Sequence, residues 1–310
     1  MRPRTESAAK RSMDFGDWAR KQVGRLQEPV DRVRNIKPQV VYGPKGEWIV
    51  AKLLVLGYWV DVYTRIMSNQ IRQGRFDSMY YIDLLAGSGL CSVQRDKRTT
   101  SDVIAGSSIV AATYCHEPFA KYILVESSPD SGQVLQERMR TLVENVSVFP
   151  CDCNECIDNV LAELTPRSHY LAFVDNEGAD VKWSAMQKLI QKNGDIWITF
   201  QTSLIRRPSE SSSIRQFLGL DETEQMPDDM LSYYSKKIEN AGRIVKIIHV
   251  PGTRGFSYDL VFVTRSTGGG SPWLNIVDRL KERVERLNID FIRVILDQLA
   301  GRQEDLRGLS

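Results

Sequence analysis

The sequence predicts an α/β fold: a mostly parallel, doubly wound sheet that ends in an antiparallel hairpin. Three observations carry this. Residues 79–91, MYYIDLLAGSGLC, read as a short buried strand running into a turn that only small residues make. A strand entering a glycine turn opens the nucleotide-binding half of such sheets. Apolar segments at 121–127, 146–149, 170–174 and 195–201 then alternate with amphipathic stretches, as repeated strand–helix units do. Finally, Arg243–Val250 and Tyr258–Thr264 are strand-like runs joined by Pro251-Gly252-Thr253-Arg254-Gly255, a hairpin turn.

From the start of the chain, residues 1–11 are expected to lack regular structure. Phe15, Trp18, Val23, Leu26, Val30 and Val33 recur at roughly helical spacing, predicting one or two amphipathic helices interrupted near Gly24 and Pro29. Pro38, Gly43, Pro44 and Gly46 predict a loop over 34–46. Residues 47–72 read as one long helix whose apolar positions cover more than one face, so it is expected to lie between the sheet and the N-terminal segment. Gly57 inside it costs up to ~1 kcal/mol of helix propensity, which marks a close contact.

In the glycine turn, Gly87 and Gly89 are present, but Ser92 stands at the third position of a G-x-G-x-x-G fingerprint and no helix follows at once. Gly-Lys-Ser/Thr is absent, which argues against a P-loop. A polar segment, Ser92–Asp102, interrupts the strand-to-helix step. The next helix is expected over Ile109–Cys115, with Ser107 or Ser108 as N-cap. Glu126 ends the second strand, where an acid accepts hydrogen bonds from both ribose hydroxyls of a nucleoside cofactor; a plain surface glutamate is the alternative. Pro129 suits the first turn of the helix that follows. Residues 154–164 and Val181–Asn193 complete the helices between strands. Leu274–Leu299 reads as one closing helix.

With 310 residues, 42% of them hydrophobic, the chain can bury a full core. Its net charge of +2 hides an asymmetry: residues 1–45 carry 11 Lys/Arg against 5 Asp/Glu, and the remainder 30 against 34. A basic arm on a slightly acidic body suits a polyanionic partner such as a nucleic acid, or is simply a solvated leader. Arg206, Arg207 and Arg215 are further candidates for substrate contacts. No apolar run approaches the ~20 residues of a membrane span, and the N-terminus lacks the apolar stretch of a secretory signal. Five cysteines in a chain this long fit a reducing, cytoplasmic compartment better than a disulfide framework. Cys151, Cys153 and Cys156 have no fourth ligand nearby, so no metal site is expected. His116, His169 and His249 have no spacing suggesting a triad or a metal, and Trp183 and Trp197 read as core.

Asp83, four positions before Gly87, resembles motif I of the class I S-adenosylmethionine (SAM) methyltransferases, whose seven-stranded Rossmann-like sheet ends in an antiparallel hairpin. A dinucleotide-binding oxidoreductase would lack that hairpin. The chain also resembles the three-Cys-motif partner (TcmP) family, prokaryotic proteins with a methyltransferase-like fold. The matching residues are Trp48, Lys52-Leu53, Leu56 and Tyr58, then Tyr81-Ile82-Asp83-Leu84 with Ala86-Gly87-Ser88-Gly89 and Gly106-Ser107. Glu126, Asp152, Asp175, Gly178, Val181-Lys182-Trp183, Asp195-Ile196-Trp197 and Phe200 follow in order. They span about residues 45–210. The name refers to a companion protein and not to the cysteines of this chain.

The resemblance implies a SAM-dependent methyltransferase. Asp83, Ala86, Gly87, Ser88 and Gly89 would hold the methionine end, Glu126 and Ser127 the ribose, and Asp152 and Cys153 the adenine. Asp175 and Asn176 would face the acceptor, where Asn176 departs from the family's usual Asp-Pro. The basic arm favours RNA as acceptor. The alternative is a non-catalytic module working through a companion three-Cys-motif protein. The expected layout is a basic extension over 1–46, a Rossmann-like domain over 47–267, and a C-terminal helical segment over 268–310.

Overall fold

Ser78–Asp83 (β2) is buried along nearly its whole length, as a strand covered on both faces must be. It is the centre of the computed structural model, which describes residues 19–46, 48–93, 102–201, 211–250, 257–267, 271–287 and 289–299. Around it lie Lys121–Val125 (β5), Val146–Phe149 (β6), Ser168–Val174 (β7), Gly194–Phe200 (β8), Ile244–Val250 (β9) and Tyr258–Thr264 (β10). The seven strands run in the order β6-β5-β2-β7-β8-β10-β9. β6, β5, β2, β7 and β8 are parallel, and β10 is antiparallel to both β8 and β9. This is the class I methyltransferase arrangement expected from the sequence. Its first strand sits mid-sheet, so the chain order reverses beside β2. Open α/β sheets form a ligand crevice at the carboxyl ends of the strands at such a point.

Two apolar layers cover the sheet. On one side Trp48–Arg72 (α3) and Ser107–Tyr114 (α4) pack over β2, β5 and β10. Trp59 of α3 meets Phe262 and Trp197 edge-on, at 4.6 and 6.1 Å between centroids. Gly57 is indeed a close contact: a Cβ there would lie 2.5 Å from the Tyr114 ring. On the other side Cys153–Ala162 (α6), Trp183–Gln191 (α7), Ser211–Leu218 (α8) and Met230–Asn240 (α9) form a second layer. Pro129–Arg140 (α5) begins with Pro129 in its first turn, and Ser128 caps it.

Five local expectations are corrected. The 34–46 loop contains a strand, Tyr42–Lys45 (β1). The polar segment after the turn is flanked by Leu90–Val93 (β3) and Asp102–Ala105 (β4), and the three form a separate small sheet, β1-β3-β4. Four-residue strands with Gly, Pro and Lys carry little periodicity. The N-cap of α4 is Gly106 in extended backbone; Ser107 and Ser108 are already helical. The closing helix is two, Leu274–Val284 (α10) and Ile289–Leu299 (α11). Cys151 and Cys156 are joined as a disulfide, where the composition favoured free thiols.

The N-terminal segment enters the core. Residues 19–27 are helical (α1) and Val30–Val33 (α2) follows; Ala19, Val23, Leu26, Val30 and Val33 are buried. Arg138 of α5 ties this segment to the glycine turn. It is fully buried and donates to the carbonyls of Ile36, Lys37, Val40 and Ser88 at 2.9–3.1 Å. Replacing it leaves four carbonyls without their donor, each costing on the order of 1–3 kcal/mol if it stays dry. Arg138→Met is therefore expected to lower the unfolding free energy by about 3 kcal/mol. Urea titration would show it as a lower midpoint at unchanged slope.

Candidate active site

β2 ends at Asp83, and the chain turns through Gly87 and Gly89 with φ of 60° and 84°. Side chains rarely adopt that conformation, which explains the glycines. The β3–β4 excursion then leaves and returns to the same point. Gly106 N donates to Gly89 O at 2.8 Å, and a Cβ on Gly106 would sit 2.9 Å from that oxygen. The turn therefore still leads into a helix, α4, with the hairpin spliced between them. β1 lies over the turn: a Cβ on Gly87 would be 3.7 Å from the Tyr42 ring.

A cavity of about 350 Å³ opens at the carboxyl ends of β2, β5 and β7. Ala86, Gly87, Ser88, Gly89, Glu126, Ser127, Asp152, Cys153 and Asp175 all line it, so the structure brings together nine residues singled out from sequence. Asp83 and Asn176 do not line it. Asp83 is fully buried behind the turn, accepting from Leu85 N at 3.3 Å, Tyr81 Oη at 3.2 Å and Ser108 Oγ at 3.4 Å. Burial outweighs these bonds and pushes its pKa up to about 6. Asn176 is also fully buried, and its Oδ1 accepts from Val181 N at 3.1 Å. Both brace the loops behind the wall.

The other acids are held by their own elements. Glu126 Oε1 accepts from Ser128 N at 2.8 Å. Asp152 caps α6, its Oδ1 accepting from Asn154 N at 2.7 Å. Asn154 in turn donates to Asp180 O at 2.8 Å and accepts from Lys182 N at 2.7 Å, joining this wall to the loop after β7. On that loop Asp180 Oδ2 accepts from Glu177 N at 2.8 Å and Gly178 N at 3.2 Å. Asp175 Oδ2 is paired with Lys52 Nζ, and Glu177 Oε1 with Lys45 Nζ. Asp175 Oδ1 is buried with no hydrogen-bond partner. Tyr42 bonds Glu177, and burial followed by that carboxylate raises its phenol pKa well above the usual value.

The lining's charge is one-sided. Glu126, Asp152, Asp175, Glu177 and Asp180 line the cavity; among the described residues no lysine or arginine lines it, and Lys52 and Lys45 pair with Asp175 and Glu177. The acids are spread along it: among the described residues no group of three His, Cys, Asp or Glu is placed to hold a metal ion. Cys151 also lines the cavity, and burial pushes the thiols of Cys91 and Cys153 up to about 12.

Sequence reasoning gave Lys52, Lys45, Tyr42 and Asp180 no part in the site. Lys52 had a signal: it is the one charge in WIVAKLLVLGYWV, and a charge in such a run needs a partner. The three histidines are outside the lining. Burial lowers the His169 pKa to about 3, and its ring bonds the Tyr63 hydroxyl at 2.9 Å. Trp197 is fully buried and Trp183 nearly so, as core residues. Arg206 and Arg207 lie outside the described residues, while Arg215 donates to the carbonyls of Asp221 and Glu224. Among the described residues no helix is long and apolar enough to cross a membrane.

No protein-family model and no curated protein matches the chain. Solved structures resemble it at low identity. A Legionella pneumophila protein of family DUF519 is 11% identical over 78% of this chain and 94% of its own, with a TM-score of 0.47. Trm1 from Pyrococcus horikoshii, in complex with SAM, is 9% identical over 73% and 57%, with a TM-score of 0.42. Fibrillarin from Aeropyrum pernix, with natively bound SAM, is 11% identical over 60% and 66%, with a TM-score of 0.37. Likenesses this low argue no activity, and the strand order stands on the pairing within this chain.

Asp83 binds its proton more tightly folded than unfolded, so its contribution to stability is full below about pH 4 and falls as pH rises to about 6. Asp83→Asn removes that loss, and the neighbouring hydroxyls can rotate to accept from the amide. Relative to the native chain, the variant is expected to be more stable at pH 7 than at pH 3.5, by about 3 kcal/mol. Urea titrations of both proteins at the two pH values check this.

Proposed function

We propose that this protein is a SAM-dependent methyltransferase. The observation that carries the reading is the charge of the crevice: among the described residues five carboxylates line it, and the two lysines that pair with Asp175 and Glu177 leave it net negative. A pyrophosphate, as in a dinucleotide, would meet like charge there, whereas a nucleoside with a sulfonium tail meets opposite charge. The cavity's volume is at the lower end of small-molecule sites. SAM, when bound, supplies a methyl group activated by positive sulfur. Glu126 and Ser127 would take the ribose, and Asp152 and Cys153 the adenine. The backbone from Ala86 to Gly89 would take the methionine end, with Asp83 bracing the turn from behind. Asp175 would face the acceptor, and the chain's contribution would be alignment of acceptor and methyl.

RNA as acceptor rests on the charge of residues 1–45, of which 1–18 lie outside the described residues. Membership of the TcmP family rests on the order of the matching motifs. A second reading, a non-catalytic module acting through a companion protein, is favoured by one observation: the acceptor-side carboxylate, Asp175, is tied to Lys52. Calorimetry separates these. SAM is expected to bind and NAD to give no heat, and Glu126→Gln is expected to weaken SAM about tenfold, ~1.4 kcal/mol. No heat with SAM supports the module, and NAD binding as tight as SAM contradicts both.

A further inference from the structure

We propose that a second cavity, at the amino edge of β7 and β8, binds a small aromatic acid, its anionic head at a rim of arginines and a ring N–H on the carboxylate of Asp195. This goes beyond the methyltransferase reading and does not depend on it. The cavity has a volume of about 880 Å³. It lies between the start of those two strands, the end of β10, the C-terminal half of α3 and the first half of α10. Its size is within the range of small-molecule sites. It shares no lining residue with the crevice at the carboxyl edge. Asp195 belongs to a motif the sequence singles out, Asp195-Ile196-Trp197, yet it has no part in that crevice.

Floor and rim differ in chemistry. Trp59, Tyr63 and Met67, at the floor, are all buried, and the half-buried rings of Phe76 and Trp273 complete an aromatic wall. A flat aromatic body gains from such a wall beyond the area it buries. Asp195 is the one acid in the lining and is 8% exposed. Thr264 Oγ1 donates to its Oδ1 at 2.6 Å, while Oδ2 keeps solvent-accessible surface and has no donor among the described residues. A ring N–H supplies that donor, and an aliphatic acid does not. The rim is basic: Arg75, Arg265 and Arg279 line the cavity at exposed positions, and among the described residues none of them pairs with a carboxylate. Arg265 donates to Asn193 Oδ1 and Gln191 O, and Arg75 to Gln70 Oε1, all at 2.7 Å. These partners are neutral, so the three charges remain for a carboxylate head. A cation suited to Asp195 would meet like charge at the rim. His169 adds no charge to the floor, since burial lowers its pKa to about 3.

Calorimetry on the full chain tests this at pH 8, above the value of about 7 to which burial raises the pKa of Asp195. The probes are indole-3-acetate, 1-methylindole-3-acetate, decanoate and tryptamine. Indole-3-acetate is expected to bind at least about tenfold more tightly than each of the other three. Asp195→Asn keeps an acceptor for Thr264 and is expected to erase most of the preference over the N-methyl compound. The ratio of the two affinities is the readout, so a general loss of stability does not imitate it. Arg75→Gln and Arg279→Gln, at exposed positions and safe for folding, are each expected to weaken indole-3-acetate about threefold, and less at high salt. Its binding is expected to be the same with S-adenosylhomocysteine present. Absence of indole-3-acetate binding overturns the proposal, as does decanoate or tryptamine binding equally tightly. So does an affinity unchanged in both arginine variants, or a preference over the N-methyl compound that survives Asp195→Asn. Displacement by S-adenosylhomocysteine also overturns it, because the probe would then occupy the other cavity.

Discussion

A lysine with almost no water around it must have a carboxylate beside it. Lys52 is 1% exposed on a helix otherwise apolar at its start, and it pairs with Asp175 at the tip of β7. Removing one partner of such a pair leaves an uncompensated buried charge, typically at about 3–5 kcal/mol. The contact fixes where α3 crosses the sheet edge. Ile49 and Leu53, which flank Lys52, thereby line the cavity together with Asp175. The Tyr258 hydroxyl, donating to Trp48 O at 2.9 Å, anchors the same end of α3 to the terminal hairpin.

The second constraint runs through the N-terminal segment. Arg138 brings residues 36–40 to the glycine turn, and β1 follows directly. Tyr42 then lies over Gly87, and Lys45 reaches Glu177 across the opening. Much of residues 19–46 thus belongs to the structure of the site. Its basic residues are divided between this work and solvent: Lys45 is spent on Glu177, while Arg34 is exposed and pairs with Asp31. The net charge of the segment alone therefore says little about the surface a ligand meets.

The strands and the long helix were legible because each has a length and periodicity that local sequence expresses. β6 and β10 fall where the residues placed them, and α3 within a residue. β1, β3 and β4 were not legible. Each has four residues, and their pairing depends on an excursion that returns to Gly106. Glycine turn, Glu126 and Asp152 could be placed because strand ends define that edge. The positions of Asp83 and Asn176 behind the wall could not, since sequence marks a residue's place along a strand and not which side of a loop its side chain takes. The ion pairs of Lys52 and Lys45 join residues more than a hundred positions apart, so only the isolated charge of Lys52 hinted at them.

On the proposed reading, the crevice at the carboxyl edge of β2, β5 and β7 selects a nucleoside carrying positive charge in its tail. S-adenosylmethionine and S-adenosylhomocysteine differ by one methyl group and that charge. The direct measurement is their affinity difference at low and at high ionic strength. The account predicts that the charged compound binds more tightly and that salt narrows the gap, as screening of a partly exposed site requires. Equal affinities at every salt concentration, or tighter binding of the neutral compound, would contradict it.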